Sequence, residues 1–342
     1  MSLLSPEKIY VEEGVIDHPL ARKILGKLPS AAVVTVSDYK RIGEEKPLAR
    51  RAIEDKRSIA LARKKGDLIK TIGRMEDGEY YLFHEIDCSY DCEYCYLQYY
   101  FQTKVPVVFV NRDEVLQAVE RVLKSHLSPY FHAGEVNDAL ALDHLTGFSL
   151  EAAALFDRYP QGTIEFRTKS TNVENLVSRG KRAGNIIPSW TLSPESVNRA
   201  IEHNTPPLAE RLDAARRCQE AGFTVGLRLD PIIHFTGWEN EYRVMVENIF
   251  RTLIPERIDY VSLGTPKMHK LLIEAVETRF PQSPIILGEL LPSRDGKYRY
   301  LKFARVDIYK KMTRWIKALA PETRIDLSLE SPEVEALVSD TS

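Results

Sequence analysis

The stretch that decides the fold is Thr163-Ile-Glu-Phe-Arg-Thr-Lys169. Ile164 and Phe166 fall on one face of this predicted strand, because successive side chains of a strand point in opposite directions. Glu165, Arg167 and Lys169 share the other face. In a barrel with helices on the outside, the apolar face packs against those helices. The charged side chains are therefore expected to point into the barrel lumen.

Similar strands recur along the chain and alternate with amphipathic helices. The predicted strands cover residues 80–87, 130–136, 163–169, 186–192, 224–233 and 259–264. The predicted helices lie near residues 112–125, 149–158, 172–183, 206–221, 239–253, 267–279 and 305–319. This alternation implies parallel pairing with helical crossovers, so we expect an α/β fold, a partial (β/α)6 barrel of TIM type. Such a fold places its chemistry at the carboxyl ends of the strands.

A small α/β subdomain is predicted in front of the barrel, over residues 1–75. Its elements are expected at residues 8–11, 19–26 and 31–36, which form one βαβ unit. Residues 76–330 would form the barrel, and residues 331–342 a flexible tail. Asn111 is predicted to cap the first barrel helix, with Glu114 three residues further on.

The composition excludes several classes of protein. The chain has 342 residues, 44% of them hydrophobic, and 47 Lys and Arg against 49 Asp and Glu give a net charge of −2. These values are ordinary for a globular protein and exclude disordered and fibrous classes. Neither a signal peptide nor an apolar run long enough to cross a membrane is recognised. Four cysteines are too few for a disulfide framework at this length, so we expect a cytoplasmic protein with no membrane contact.

The near-neutral total conceals a basic segment over residues 40–74. It holds twelve cationic residues against five acids: Lys40, Arg41, Lys46, Arg50, Arg51, Lys56, Arg57, Arg63, Lys64, Lys65, Lys70 and Arg74. Contact with nucleic acid is one interpretation of this charge. A solvated helix and hairpin surface is the other.

Three of the four cysteines follow the first barrel strand, with the spacing C-x3-C-x2-C at Cys88, Cys92 and Cys95. Thiolates bind soft metals, and three on one loop can hold three irons of a [4Fe–4S] cluster, which leaves the fourth iron open to another ligand. Zinc bound by the three cysteines and His84 is the alternative. Cys218 falls on the apolar stripe of a helix and is predicted to be a packed core thiol.

The cysteine motif, followed by an aromatic residue, resembles the radical S-adenosylmethionine superfamily. The longer string Cys92-Glu-Tyr-Cys95-Tyr-Leu-Gln98 is similar to the spore photoproduct lyase branch, and the likeness runs from about residue 8 to residue 310. The resemblance implies a [4Fe–4S] cluster whose open iron binds S-adenosylmethionine. Its reductive cleavage would give a 5′-deoxyadenosyl radical that abstracts hydrogen from a substrate.

The resemblance also implies which residues bind the cofactor. Tyr94 and Tyr96 would pack near it, while Lys169 and Ser189 match positions that hold its methionyl and ribose parts. Gly134 and Glu135 resemble a Gly-Gly-Glu element that meets the cofactor's amino group, although an ordinary loop acid remains an alternative for Glu135. Further cofactor-binding residues are expected at Asn137, Arg228 and Asp230. The lumen charges could equally pair with one another and merely close the barrel.

The sequence departs from the lyase pattern at the final step. In that branch a cysteine after the second barrel strand returns a hydrogen atom to the substrate, helped by a tyrosine, and this chain has Glu135 at the cysteine position. The tyrosine is expected within residues 299–303, where Phe303 aligns with it and the nearby Tyr298 and Tyr300 are the candidates. Glu135, Tyr298 and Tyr300 are therefore the predicted catalytic residues.

Three functions remain open at this point. The first is repair of a pyrimidine photoproduct in DNA, and the second is a radical reaction on a free nucleoside or small metabolite. The third is a metal-stabilised nucleic-acid-binding protein without catalysis. Both enzymes would need a flavodoxin- or ferredoxin-type electron donor. The aromatic run Tyr94, Tyr96, Tyr99, Tyr100 and Phe101 could stack on a base or pack around the cluster.

Overall fold

The structure is a computed structural model that describes residues 5–43, 56–72, 78–101, 103, 105–182, 185–286, 288–293 and 295–339. The strands of these residues are β1 (Lys8–Glu12), β2 (Ala32–Val36), β3 (Ser58–Ala62), β4 (Ile69–Ile72), β5 (Glu79–Leu82), β6 (Glu85–Ile86), β7 (Asp91–Cys92), β8 (Val107–Phe109), β9 (Tyr130–Ala133), β10 (Thr163–Thr168), β11 (Asn185–Thr191), β12 (Glu202–His203), β13 (Val225–Leu229), β14 (Ile258–Leu263), β15 (Lys267–Met268), β16 (Leu291–Pro292), β17 (Tyr298–Arg299) and β18 (Ile325–Leu327).

The α-helices of the described residues separate most of these strands. They are Pro19–Lys27, Leu97–Tyr100, Arg112–Ser125, Asp143–Thr146, Phe148–Arg158, Glu174–Arg179, Glu195–Ile201, Leu208–Glu220, Trp238–Thr252, Lys270–Arg279, Lys302–Leu319 and Pro332–Ser339. None of the helices in these ranges is long and apolar enough to cross a membrane.

The larger sheet is the predicted partial barrel. Its order is β18-β14-β13-β11-β10-β9-β5-β4, and the pairs are parallel except β4 with β5. The six predicted barrel strands occupy adjacent positions from β14 to β5. Ile164 and Phe166 of β10 are fully buried with residues of the surrounding helices, so the apolar face packs outward as expected. The charged face is left to line the interior.

The smaller sheet has the order β2-β1-β3-β8-β6. β1 and β2 pair in parallel around the helix Pro19–Lys27, as expected for a βαβ unit. β3 lies within the basic segment, but all of its residues are buried. Part of that segment is therefore core and not a solvated surface.

Strand membership crosses the boundary predicted at residue 75. β4 precedes that boundary but belongs to the larger sheet, whereas β6 and β8 follow it and belong to the smaller one. The predicted strand 80–87 is accordingly two strands in two sheets. Phe83 and His84 separate them, and the His84 ring stacks on Phe148 with its centroid 3.9 Å away. The division into two subdomains stays a prediction, and the two sheets share this stretch of chain.

The tail predicted to be flexible from residue 331 is largely helical. Pro332–Ser339 forms a helix that packs against Lys302–Leu319, and its Val334 and Val338 are buried. These two valines lie four residues apart and therefore share one face of the helix. Residues 340–342 lie outside the described part.

Several elements are shorter than predicted. β13 ends at Leu229 and not near residue 233, since Pro231 has no N–H to donate to a neighbouring strand. The helix expected at 172–183 ends at Arg179, where Gly180 follows with φ of 65°. In the helix expected from residue 267, the first two residues instead form β15.

Asn111 stands at the N-cap position of the helix Arg112–Ser125 but does not cap it. Its Oδ1 accepts from the Lys64 backbone N at 2.8 Å, and its Nδ2 donates to the Lys64 carbonyl at 3.2 Å. Nδ2 also lies 3.1 Å from Glu114 Oε2. The prediction of a side-chain cap was wrong, because Asn111 instead ties the helix to the loop after β3.

Candidate functional site

A cavity of about 530 Å³ opens at the carboxyl ends of the barrel strands. Cys88, Cys92 and Cys95 line it together with residues at the ends of five strands: Glu135 after β9, Lys169 after β10, Thr191 of β11, Asp230 after β13 and Thr265 after β14. The same cavity is lined by Tyr81, Tyr94, Tyr96, Tyr99 and Tyr100. The structure thus brings the three cysteines to the place where a barrel enzyme carries its chemistry.

Lys56 anchors the start of the cysteine loop. Its Nζ donates to Asp87 Oδ1 at 2.9 Å and to the Cys88 carbonyl, while the same Oδ1 accepts from the Cys88 backbone N at 2.7 Å. The Lys56 and Asp87 side chains are 7% and 1% exposed, so this ion pair is buried. It holds the backbone of Cys88 and places a cation beside the thiols.

The middle of the loop is held by a two-stranded ribbon. Cys92 in β7 is paired with Glu202 in β12. Gln98 Nε2 donates to the Cys92 carbonyl at 3.0 Å, and Arg279 pairs with Asp91 at 2.5 Å. Two of these contacts, from Glu202 and Arg279, come from distant parts of the chain, and together with Gln98 they hold the loop in one conformation.

A buried charged cluster lies behind Cys92. Arg211 Nη2 donates to Glu202 Oε2 at 2.6 Å, the Tyr94 hydroxyl donates to Oε1 of the same carboxylate, and Lys169 Nζ lies 5.3 Å from the centre of the Tyr94 ring. Burial opposes ionisation of Glu202, but Arg211 and Lys169 outweigh it and lower its pKa to about 2. Burial would likewise lower the pKa of Lys169, yet Cys92 and Glu202 raise it. Lys169 is therefore a permanent cation in the cavity wall.

The three cysteine thiols fit a metal cluster. Burial raises the pKa of each of them, that of Cys92 to about 12, so they keep their protons unless a bound metal replaces them. All three line one cavity, and two lysines, Lys56 and Lys169, stand nearby to offset thiolate charge. A cubane cluster bonds each thiolate to a separate iron.

The zinc alternative is not supported. His84 does not line the cavity, because its ring is buried against Phe148. Burial also lowers the pKa of His84 to about 3. In the described part of the chain, no three His, Cys, Asp or Glu side chains converge on a single metal ion. Cys218 is fully buried in the main hydrophobic core, as predicted.

The turn after β9 combines a close backbone approach with an open acceptor. Gly134 has φ of 106°, and a Cβ on it would lie 2.5 Å from the Arg167 carbonyl, so only glycine fits. Asn137 Oδ1 is buried beside the cavity and has no hydrogen-bond partner among the described residues. Such an atom is suited to accept from a ligand ammonium or amide. Glu135, between them, forms an ion pair with Arg167.

The lumen charges below the cavity pair with one another. Glu165 is 1% exposed, accepts from Arg167 Nε at 2.8 Å and lies 2.9 Å from His132 Nδ1. The Tyr260 hydroxyl also donates to it, and Arg228 lies 3.7 Å away. Glu165 and Arg228 therefore fit the alternative in which the lumen charges pair with one another. Arg167 takes part in this pairing and also lines the cavity.

Four predicted site residues do not line the cavity: Ser189, Arg228, Tyr298 and Tyr300. The Ser189 hydroxyl lies 2.9 Å from the Tyr260 hydroxyl, two residues deeper in β11 than Thr191, which does line the cavity. The Tyr300 hydroxyl accepts from the His234 backbone N at 3.1 Å. Tyr298 is half-buried in β17 against a satellite hydrophobic cluster. The cavity lies at the ends of the strands, so side chains deeper within a strand, such as that of Ser189, do not reach it.

Sequence reasoning missed several cavity residues, among them Lys56, Tyr81 and Thr191. The alternation along β5 could have identified Tyr81, since Tyr80 faces the helices and its neighbour must face the lumen. Thr191 could have been found from its place at the end of β11. No local pattern distinguishes Lys56 from the cations around it.

Several described cations of the basic segment are paired with acids. Arg57 pairs with Glu7 at 3.0 Å, Lys65 lies 3.8 Å from Glu12, and Arg63 pairs with Glu114. Four members lie outside the described residues: Lys46, Arg50, Arg51 and Arg74. Within the described part, pairing reduces the charge available to a polyanion.

Comparison with known proteins gives one consistent result. The sequence model of the spore photoproduct lyase family matches residues 4–328. The spore photoproduct lyase of Bacillus subtilis (strain 168) is 23% identical over 337 residues, which cover 94% of this chain and 97% of that one. The lyase of Geobacillus sp. (strain Y412MC61) is also 23% identical, over 338 residues with the same coverage.

Solved structures agree with the fold. A cysteine-to-alanine mutant of spore photoproduct lyase superposes with a TM-score of 0.85 at 22% identity, covering 96% of this chain and all of that one. A double mutant with bound AdoMet and dinucleoside spore photoproduct gives 0.83 at 23% identity, covering 95% and 99%. These likenesses confirm the partial barrel, and the family match extends over nearly the whole sequence. The chain belongs to the spore photoproduct lyase family, whose lyases are radical S-adenosylmethionine enzymes.

Proposed function

We propose that this chain uses a [4Fe–4S] cluster and S-adenosylmethionine to repair a spore photoproduct in DNA. The observation that carries the proposal is the cavity in which Cys88, Cys92 and Cys95 meet Lys169 and Asn137, in a chain of the spore photoproduct lyase family. A cytoplasmic location and a flavodoxin- or ferredoxin-type electron donor remain part of the proposal.

Some residues of the cavity would hold the cluster, and others would hold S-adenosylmethionine. Cys88, Cys92 and Cys95 would hold the cluster, and the open acceptor of Asn137 would take the amino group of S-adenosylmethionine, with Lys169 opposite its carboxylate. When bound, the cluster supplies the electron that cleaves the sulfonium to a 5′-deoxyadenosyl radical. The tyrosines of the cavity wall and the buried ribbon would shield the bound cofactor from water.

The other end of the cavity has a composition that suits a nucleotide. It is lined by Asp230, Thr265, Lys267, His269 and Lys297. Lysines contact phosphate, while hydroxyl and carboxylate groups can bind base or sugar. One relative's structure is described as holding a dinucleoside spore photoproduct, and a lesion of that kind is our proposed substrate here.

A free nucleoside or small metabolite is the second candidate substrate. Two observations favour it: Glu135 at the position of the expected donor cysteine, and the pairing of several described basic residues with acids.

Cofactor cleavage tests the proposal. We expect the anaerobically reconstituted protein, reduced with dithionite, to form 5′-deoxyadenosine from S-adenosylmethionine and to form it faster with dinucleoside spore photoproduct. Cys92→Ala should lose the brown iron–sulfur absorbance and all cleavage, because it removes a ligand. Cys218→Ala should retain both, since that thiol is packed in the core.

The contrary outcomes separate the alternatives. Cleavage that the lesion does not stimulate would favour a metabolite substrate. A protein that binds no cluster and forms no 5′-deoxyadenosine would support the noncatalytic alternative.

A further inference from the structure

The repair reaction must end with a hydrogen atom returned to the substrate, because a lyase that removes one hydrogen atom and releases an intact product has to replace it. This inference rests on the proposed function. The chain has four cysteines, and three of them form the proposed cluster site. Cys218 is fully buried in the main core and does not line the cavity. No thiol is therefore left to supply the hydrogen atom.

Glu135 cannot take the place of a thiol. Its carboxylate forms an ion pair with Arg167, which is itself bound to Glu165. An ionised carboxylate holds no hydrogen atom, and protonating it would leave the Arg167 charge less compensated in a partly buried site. Another group near Glu135 must hold a transferable hydrogen.

Tyr81 is such a group. It belongs to β5, where it pairs in register with His132 of β9, and its side chain lines the cavity. Glu135 follows β9, the strand that pairs with β5, and lines the same cavity as Tyr81 and Arg167. Burial, helped by Glu135, raises the pKa of Tyr81 to about 12, so the phenol keeps its hydrogen at neutral pH.

Two neighbouring tyrosines of the cavity, Tyr94 and Tyr96, are committed elsewhere. The Tyr96 hydroxyl donates to the Glu135 backbone carbonyl at 2.5 Å, and the Tyr94 hydroxyl donates to Glu202. The Tyr81 hydroxyl makes no hydrogen bond to another described residue. Its O–H can therefore turn toward a substrate without breaking a protein hydrogen bond.

We propose that Tyr81 is the hydrogen-atom donor that replaces the absent cysteine thiol. The substrate carbon radical takes the hydroxyl hydrogen, so the O–H bond breaks homolytically, a C–H bond forms and a tyrosyl radical remains. One electron from the low-potential donor that reduces the cluster, with one proton from solvent, restores the phenol. Each turnover then consumes one S-adenosylmethionine and two electrons, and 5′-deoxyadenosine retains the hydrogen taken from the substrate.

Solvent deuterium provides the test, because a phenol hydrogen exchanges with water. The reconstituted full chain is reduced in D2O with S-adenosylmethionine and dinucleoside spore photoproduct, and the product is analysed by mass spectrometry. We expect one deuterium in the repaired thymine and one 5′-deoxyadenosine per lesion. Tyr81→Phe should lose the deuterium incorporation while it still forms 5′-deoxyadenosine.

Two variants serve as comparisons. Tyr80→Phe lies in the same strand on the opposite face, where its hydroxyl contacts His126, and should behave as wild type. Tyr96→Phe tests the other tyrosine beside Glu135, and any repaired product that this variant forms should still carry solvent deuterium. Loss of incorporation in Tyr96→Phe but not in Tyr81→Phe would overturn the inference, as would a wild-type product without deuterium.

A spectroscopic measurement covers the case in which Tyr81→Phe does not fold. Freeze-quenched wild-type turnover should show a tyrosyl radical by electron paramagnetic resonance, narrowed when the protein carries ring-deuterated tyrosine. Repair without such a radical would contradict the inference and leave the proposed function intact. Cofactor cleavage without any repair would instead refute the proposed function, and this inference with it.

Discussion

Lys56 precedes β3 of the smaller sheet and reaches the cysteine loop of the barrel. Burial opposes its charge, but Asp87 and Cys88 raise its pKa above the ordinary value. The side chain therefore carries a positive charge beside the thiols that would hold the cluster. Charge and hydrogen bonds near an iron–sulfur cluster set its reduction potential. We infer that Lys56 makes the cluster easier to reduce.

The prediction for Lys56 is a change in reduction potential. Lys56→Met removes a buried cation, so we expect the cluster potential to become more negative in a redox titration followed by electron paramagnetic resonance. Lys65→Met is the control, because Lys65 is 76% exposed and its charge is screened by water. Equal potentials in the two variants would contradict the electrostatic role. If the unpaired Asp87 destabilises Lys56→Met, adding Asp87→Asn removes the lone charge and keeps the comparison possible.

At the scale of elements, the ribbon of β7 and β12 joins the cysteine loop to the barrel. Its stability depends on Glu202, whose carboxylate accepts from Arg211, Tyr94 and Ser193. The Arg211 and Glu202 side chains are 1% and 0% exposed. A buried pair of this kind adds little over an apolar pair, but removal of one partner leaves a buried charge uncompensated.

Glu202→Gln is therefore expected to lower the free energy of unfolding by about 3–5 kcal/mol, measured by urea denaturation. Glu174→Gln is the matched control, since Glu174 is 66% exposed and pairs with Arg217 at the surface. Its cost should be no more than about 1 kcal/mol. Similar costs for the two variants would mean that the buried cluster is not what holds the ribbon.

The same carboxylate predicts a dependence on pH. The pKa of Glu202 falls from its ordinary value of 4.5 to about 2, so its contribution to stability is present above pH 4.5 and is lost as the pH falls toward 2. Over this interval the unfolded chain binds a proton that the folded chain does not. Wild type should lose more stability across it than Glu202→Gln, and parallel losses in the two proteins would contradict this.

For the whole molecule, local pattern predicted the barrel well. The alternation in Thr163–Lys169 gave the inward charges, and the cysteine spacing gave the three thiols of the cavity. Both signals lie within a few residues of sequence. The sequence did not predict that β4 joins the larger sheet and β6 the smaller one, because this depends on which distant strands pair.

The composition of the site was harder to predict than its position. Ser189 and Arg228 lie on inward-facing strand positions but below the cavity, because depth along a strand depends on register with its neighbours. Lys56 looked like a surface cation, although the cysteine loop folds over it. Charge counts carry no information on burial, so this residue required the three-dimensional structure.

The most direct test of the whole account is the fate of the lesion itself. The reconstituted chain is incubated anaerobically with reductant, S-adenosylmethionine and dinucleoside spore photoproduct, and liquid chromatography with mass spectrometry measures the products. The account predicts that the lesion is converted to an intact thymidine dinucleoside in wild type and not in Cys92→Ala. An unchanged lesion, in a wild-type sample that cleaves S-adenosylmethionine, would contradict it.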